Sequence, residues 1–409
     1  MTIHEPRAEP PTDDATLPLA GCRVVERSRT VAAAYAGRLL AAMGADVMML
    51  EPPGGSPLRR APPPIDAEGG HGDDSDNPDL GSALFTYLAA GKRSIVCDLR
   101  SAAGLQQLHG HLAHADILVD DTPLRERDAQ GLAPDAISNR FPSLVHVSVL
   151  PFGAHGPKAD WDGEEVNLVH ASGEGFLLPN GLSAELFPDR PPLKIYGHFA
   201  GYQAGCTAAF SALSAWWAVP HAGGQYVDVS VQDAALAVGA FALQRLGDGS
   251  LEHRSMRSFR YGGVFQAKDG YLELLTLEDR QWSALVALLE HPAWAADEAL
   301  RDPLERSRRG IEINRGIREW MARHEVDDIV RRAQELGVPA ARYRNPAEVV
   351  AGAHERARGL FAPVPLADGR HAQVLVAPFQ FRCTPLRLQR GVPALGEAGH
   401  EATAKEITA

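Results

Sequence analysis

Cysteine is scarce in this chain of 409 residues. Cys22, Cys97, Cys206 and Cys383 are far apart, and no CxxC pair or metal-ligand spacing joins them. That excludes a disulfide framework and a cysteine zinc site, and it fits idle thiols in a reducing cytosol. No apolar run approaches the roughly 18 residues that a membrane span needs. An excess of basic charge is also missing: 40 Lys and Arg face 52 Asp and Glu, a net charge of −12. A general nucleic-acid binder is thereby excluded, whereas local basic pockets for an anionic ligand are not. Three common site motifs are absent as well. No GxGxxG follows the first expected strand, so a bound dinucleotide is not expected. HEVDD, starting at His324, has no second histidine for zinc, and His170 stands where a GxSxG elbow around Ser172 needs glycine.

What remains is an ordinary soluble composition, 45% hydrophobic and 22% charged, long enough for two domains. The first 18 residues are acidic and proline-rich, with no apolar core. They read as a disordered tail rather than a secretory signal, and a cytoplasmic location is expected. Cys22 to Glu26 reads as a strand, TVAAAYAGRLLAAMG as a helix closed by Gly44, and ADVMMLE as a second, almost wholly apolar strand. Strand, helix and strand within about thirty residues make a βαβ unit, and the apolar second strand implies a buried parallel sheet. Residues 61–80 are rich in Pro, Gly and Asp and read as a loop. KRSIVCDL, DILVDD and SLVHVSVLPF continue the strand pattern, with SAAGLQQLHGHLAHA as a helix between the first two. The first 150 residues therefore predict an α/β, doubly wound domain. An Ala-rich segment from Pro192 to Trp217 predicts a buried helix, Asp269-Gly270 a hairpin, and the stretch from about Arg280 a helix.

GEEVNLVHASG, from Gly163 to Gly173, is the stretch on which the chemistry centres. Glu164 and Glu165 precede an apolar run carrying His170. Carboxylates at a helix start are favoured by its free N–H groups and dipole, and the same position suits a carboxylate that attacks or moves a proton.

Segments in a fixed order, among them GKRSIVCDLRS, PSLVHVSVLPFGAHGP, GGQYVDVSVQDAAL, KDGYLELLTLEDRQW and APFQFRCTPLRLQRGVPALGE, resemble the class III CoA-transferases. Their relatives include formyl-CoA transferase, carnitine CoA-transferase and α-methylacyl-CoA racemase. The resemblance implies a large Rossmann-like domain built from both chain ends, a small domain inserted between them, and two subunits interlocked as a homodimer. On this reading residues 19–225 begin the large domain, 226–330 form the small one, and 331–409 return to complete the large one. Coenzyme A and acyl-CoA are implied as substrates, with no tightly bound cofactor, no metal, no nucleic acid and no membrane partner.

For the phosphates of CoA, a site needs cations and backbone amides. Arg59, Arg60, Lys92 and Arg93 fall where the family carries basic residues, Arg125, Arg127 and Lys158 follow on later loops, and Gly54 and Gly55 would let the backbone approach a phosphate. Asp120, Asp121 and Thr122 replace the Asn and aromatic residue of the family, and two carboxylates there would repel CoA unless Lys or Arg compensates. By the same resemblance Glu165 takes the place of the transferases' nucleophilic Asp. Glu164 and His198 take the places of the racemases' His and Asp, and Glu278 that of an assisting Glu. Only Tyr261, Gly262 and Gly263 remain of a glycine-rich covering loop. Three readings stay open: CoA transfer through Glu165, α-proton transfer on an acyl-CoA by Glu164 or Glu165 with His198, and a partner subunit that has kept the fold without the chemistry.

Overall fold

The structure is a computed structural model that describes residues 17–65, 81–178, 187–239, 261–366 and 369–399. Most of the expected N-terminal tail and of the 61–80 loop lies outside these residues. The described chain forms two compact units. One holds residues 17–174, 195–239 and 353–399, the other 175–194 and 261–352.

In the larger unit, β1 (Arg23–Arg27), β2 (Asp46–Glu51), β3 (Arg93–Val96), β4 (Ile117–Asp120), β5 (Val145–Leu150) and β6 (Tyr226–Ser230) form one parallel sheet. Their order is β3-β2-β1-β4-β5-β6. The order reverses between β1 and β4, which makes the carboxyl ends of these two strands a topological switch point, where such sheets receive ligands. Every residue of β5 is buried, as its apolar VHVSVL sequence requires of a strand covered on both faces.

The helices of this unit are α1 (Val31–Ala42), α2 (Ala83–Ala89), α3 (Ala102–Leu112), α4 (Leu124–Arg127), α5 (Pro134–Arg140), α6 (Glu165–Ala171), α7 (Phe199–Ala222) and α8 (Val231–Val238). α1 is buried on all sides, so its Ala-rich sequence is a core helix rather than an amphipathic one. It packs on α7 at very short range. A Cβ on Gly205 would sit 2.8 Å from the Ala32 carbonyl oxygen and 2.9 Å from Tyr35 Cβ, so only glycine permits the approach.

Several boundaries differ from those read in the sequence. α7 begins at Phe199, not Pro192, because Pro191 and Pro192 cannot continue an amide ladder and the chain before Gly197 is irregular and largely exposed. β6 pairs with β5 and α8 follows it, so residues 226–238 belong to the large sheet rather than to the small unit.

The smaller unit contains β7 (Gly263–Gln266), β8 (Tyr271–Leu274), α9 (Asp279–Leu288), α10 (Pro303–Arg308), α11 (Gly310–Met321), α12 (Val326–Leu336), β9 (Ala340–Arg342) and α13 (Pro346–Val350). β7 and β8 are the hairpin around Asp269-Gly270, and β9 adds antiparallel to β8. Val326, Ile329 and Ala333 of α12 enter this unit's own core. The return to the larger unit therefore starts at residue 353 rather than 331.

That return comprises α14 (Ala353–Ala357), the hairpin of β10 (Phe361–Pro365) and β11 (His371–Leu375), and an irregular segment running to residue 399. Polar contacts tie it down. Arg38 Nη2 donates to the Leu375 carbonyl at 2.8 Å and Arg59 Nη2 to the Pro393 carbonyl at 3.2 Å. The Gly396 amide donates to Ser94 Oγ on β3 at 3.0 Å.

Beneath α1 lies a fully buried ion pair. Lys92 Nζ is 2.6 Å from Glu26 Oε2 and donates to the Ala34 carbonyl at 2.7 Å. A Cβ on Gly37 would fall 1.7 Å from that carboxylate oxygen, so the helix makes room for it by omitting a side chain. Burial pushes the Glu26 carboxyl up and the Lys92 ammonium down, and their mutual attraction opposes both shifts. Lys92→Met is expected to lower stability by about 3–5 kcal/mol in urea denaturation, because it leaves a buried carboxylate uncompensated. Glu26→Gln/Lys92→Met should recover much of that loss. A single variant as stable as the wild type would show that the pair carries nothing.

Candidate active site

A crevice of the larger unit lies at the switch point. It encloses about 290 Å³ and is lined from the β1 end by Arg29 and Thr30, from the β4 end by Asp121 and Arg125, and from the loop after β5 by Trp161 and Glu164.

The two carboxylates expected to repel an anionic ligand are compensated inside the protein. Asp120 is fully buried, with Arg127 Nη2 at 3.1 Å and His146 Nε2 at 3.5 Å from its Oδ2. Burial alone would raise its pKa. The His146 contact and the Arg127 charge outweigh burial and hold the carboxyl below the usual range. Asp121 instead reaches across to the residues that lead into α1. Its oxygens accept from the Arg29 amide at 2.7 and 3.0 Å and from the Thr30 amide at 2.7 Å. Despite these bonds, its burial, with Asp120 adding to it, pushes the carboxyl up to about 6.

The expected cations fare unevenly. Lys92 is sealed in its pair with Glu26 and is closed to a ligand, which corrects its assignment as a CoA contact. Arg93 opens β3 at the amino edge of the sheet, opposite the crevice, and pairs with Asp46 at 3.2 Å. Arg59 follows β2 at the carboxyl edge, but Glu51 holds its Nε and Nη2 at 2.7 Å each and the Phe85 ring covers it. It organises the 57–60 turn rather than awaiting a phosphate. Arg127 is likewise buried, donating to the Thr122 carbonyl, Tyr226 and Ser148 as well as facing Asp120. Lys158 lies over the rings of Phe152 and Trp161. Arg60 is exposed.

Arg125 does line the crevice, held by Asp162 at 2.9 Å in an exposed and hence weak pair. Arg29, which no motif singles out, stands on the crevice wall and pairs with Glu126 at 3.1 Å. Gly55 has a φ of 78° and closes the turn after β2. A Cβ there would meet Arg59 Cδ at 2.9 Å, so this glycine serves the turn. Gly54 has open space around its Cβ position.

Of the candidate catalytic residues, Glu164, Glu165 and His198 come together. Glu164 is the N-cap of α6, with Asn167 completing a capping box, and it borders the crevice. Glu165 is half-buried and reaches the start of α7. Its Oε1 accepts from the Ala200 amide at 2.8 Å and its Oε2 from the Gly201 amide at 3.1 Å. His198 is the N-cap residue of that same helix, its ring edge-on to Tyr202. Two amides converging on one carboxylate can also stabilise a developing oxyanion at the same point. Glu278 belongs to the smaller unit, where it is the exposed N-cap of α9 with Gln281 in a capping box, the plain helix-start role. Tyr261 is buried there against Trp282 and bonded to Thr276, while Gly262 and Gly263 lead into β7. Among the described residues no group of His, Cys, Asp or Glu is placed to hold a metal ion.

A sequence model described as CoA-transferase family III matches residues 19–399. Succinate–glutarate CoA-transferase of Agrobacterium fabrum is 28% identical over 393 residues, covering 93% of each chain. The alpha subunit of succinyl-CoA–L-malate CoA-transferase of Chloroflexus aurantiacus is 27% identical over 414 residues, covering 97% of this chain and 90% of its own. A crystal structure of a CAIB/BAIF family protein from Brucella suis superposes with a TM-score of 0.81 at 28% identity, over 95% of this chain and 99% of its own.

Asp121 makes the pH dependence of stability testable. Its folded pKa of about 6 lies above the roughly 3.9 of an unfolded aspartate. The folded state therefore binds the extra proton. This contribution is fully present below about pH 4 and is lost as pH rises through about 6. In urea denaturation, the stability of the wild type relative to Asp121→Asn should fall by on the order of 2 kcal/mol between pH 4.5 and 7. A difference that stays flat would refute the raised pKa.

Proposed function

The chain belongs to CoA-transferase family III, and on that premise we propose that it transfers coenzyme A between carboxylic acids by way of Glu165. The observation that carries this reading is the Glu165 carboxylate held on the Ala200 and Gly201 amides at the start of α7. In the proposed sequence a Glu165 oxygen attacks the thioester carbonyl of the acyl-CoA. The new C–O bond gives an acyl–glutamyl anhydride, and the C–S bond breaks to release CoA thiolate. The thiolate then attacks the glutamyl carbonyl, forming an enzyme thioester and freeing the first acid. A second carboxylate attacks that thioester, and the returning thiolate takes its acyl group from the resulting anhydride and restores Glu165. No net proton is consumed. The two amides that hold the resting carboxylate would hold the oxyanion formed when the thiolate, and later the second acid, attacks the glutamyl carbonyl.

The switch-point crevice suits the nucleotide end of CoA. Arg29 is held there by Glu126, and Arg125 by Asp162 and the Asp160 carbonyl, all in exposed contacts that a phosphate can replace at little cost. Trp161 on the same wall is 57% exposed and gives the crevice an aromatic surface for a base. The relatives described above are named for succinate, glutarate and malate, so dicarboxylic acids are the proposed donor and acceptor class.

A homodimer is part of the same proposal. Phe210 and Trp217, two turns apart on α7, are 74% and 83% exposed, and a second subunit would bury them. A specific observation favours a second reading as well. Both Glu165 oxygens are occupied as a helix cap, and one relative is named an alpha subunit. On that reading the chain works as one subunit beside a catalytic partner.

The decisive experiment incubates the pure chain with succinyl-CoA, traps with hydroxylamine and maps the hydroxamate by peptide mass spectrometry. A hydroxamate on Glu165, together with a loss of roughly 10⁴-fold or more in turnover for Glu165→Gln, is the expected result. Turnover with no adduct on Glu165 would overturn the nucleophile, and a pure chain without turnover would favour the partner-subunit reading. Light scattering should report a dimer that Phe210→Glu/Trp217→Glu weakens. A wild type that is monomeric at micromolar concentration would exclude the homodimer.

A further inference from the structure

Both cations on the crevice wall depend on one short element. Arg125 and Glu126 belong to α4, and Glu126 in turn holds the Arg29 side chain at 3.1 Å. Yet α4 is a single turn, and among the described residues no side chain caps its start at Pro123. A helix that short has no stability of its own. What fixes it is its last residue. Arg127, 2% exposed, donates from Nε to the Thr122 carbonyl at 2.8 Å and from Nη1 to the Tyr226 hydroxyl at 3.0 Å. Its Nη2 donates to Ser148 Oγ at 2.7 Å and lies 3.1 Å from Asp120 Oδ2. Asp120 is itself steadied by the Thr122 amide, which donates to its Oδ1 at 2.9 Å. Side chains of β4, β5 and β6 thus grip one guanidinium, and with it the turn that carries Arg125.

We propose that Arg127 is a positioning residue of this crevice. By locking α4 to three strands it holds Arg125, and through Glu126 also Arg29, in place for the phosphates of a nucleotide ligand. Being buried, it touches no ligand and acts only through what it holds. Ordering a long side chain at the moment of binding weakens affinity, and a fixed α4 removes part of that cost beforehand. The task calls for arginine. Its planar fork reaches Thr122, Tyr226, Ser148 and Asp120 at once, whereas a lysine ammonium is a single point of charge. The inference rests on the crevice as the CoA nucleotide site proposed above.

The probe is free CoA, titrated calorimetrically into the full chain and its variants. Arg127→Met alone would leave the buried Asp120 without its cation, so the test variant is Asp120→Asn/Arg127→Met. With its fold verified by circular dichroism, it should bind CoA roughly tenfold or more weakly than the wild type. The same two substitutions are then added to Arg125→Gln, which itself weakens binding. There the further loss should shrink to roughly threefold or less, because a residue through which Arg127 acts is already gone. A merely structural role predicts the same loss in both backgrounds, and equal losses would overturn the proposal. So would a folded test variant that binds CoA as the wild type does, or an Arg125→Gln chain of undiminished affinity. Should the test variant misfold, Arg127→Lys takes its place, since it keeps a charge opposite Asp120 but loses the fork. A wild type that fails to bind CoA at millimolar concentration would overturn the crevice reading and this inference with it. The wild-type titration alone therefore separates failure of that reading from failure of the role given to Arg127.

Discussion

Two helix amino termini lying side by side are the constraint from which the site follows. α1 and α7 pack so closely that a Cβ on Gly201, in the first turn of α7, would touch Val31, the first residue of α1, at 3.4 Å. Each end carries unpaired amides and a partial positive charge, and together they repel. The chain answers with two carboxylates from distant segments, Asp121 on the Arg29 and Thr30 amides that lead into α1 and Glu165 on the first turn of α7. Gly205 makes the approach possible a turn later. The same electrostatics that keep the two helices together thus fix the Glu165 carboxylate at the start of α7, next in sequence to Glu164 on the crevice wall.

Much of the fold is legible in the sequence because it rests on local signals. The apolar runs at Val24–Val25, DVMML and VHVSVL can only be buried strands, and Gly44 closes α1 where its pattern ends. The cations are less legible because their fate is decided far along the chain. Lys92 reads as a phosphate ligand until Gly37, 55 positions earlier, is seen to open the space in which Glu26 meets it. Arg59 reads as a binding residue until Glu51 and Pro393 are seen to hold it. Arg29, in contrast, carried no local signal. Only the sheet order, which puts the end of β1 next to β4, brings it to the crevice.

The two acidic replacements after β4 show how sign alone misleads. As a pair in a sequence, Asp120 and Asp121 read as a repulsive patch. In the fold one turns inward to Arg127 and His146 while the other turns toward α1, since successive residues of a strand point to opposite sides. Neither is a free charge, and they differ in kind. Asp120 is fixed as an anion by its neighbours, whereas Asp121 is held near the threshold of protonation by its burial.

The segment that runs from β11 to residue 399 lies along β3, the outer strand of the sheet, and lends Ser94 its partner. During synthesis, β3 is made some three hundred residues before Gly396 emerges to meet it. Over that interval the sheet carries an open edge of the kind that joins to other chains. Elongation at about 5–20 residues per second makes the exposure last tens of seconds. The edge at β3 therefore waits for the segment around Gly396, made about 300 residues later, to reach it.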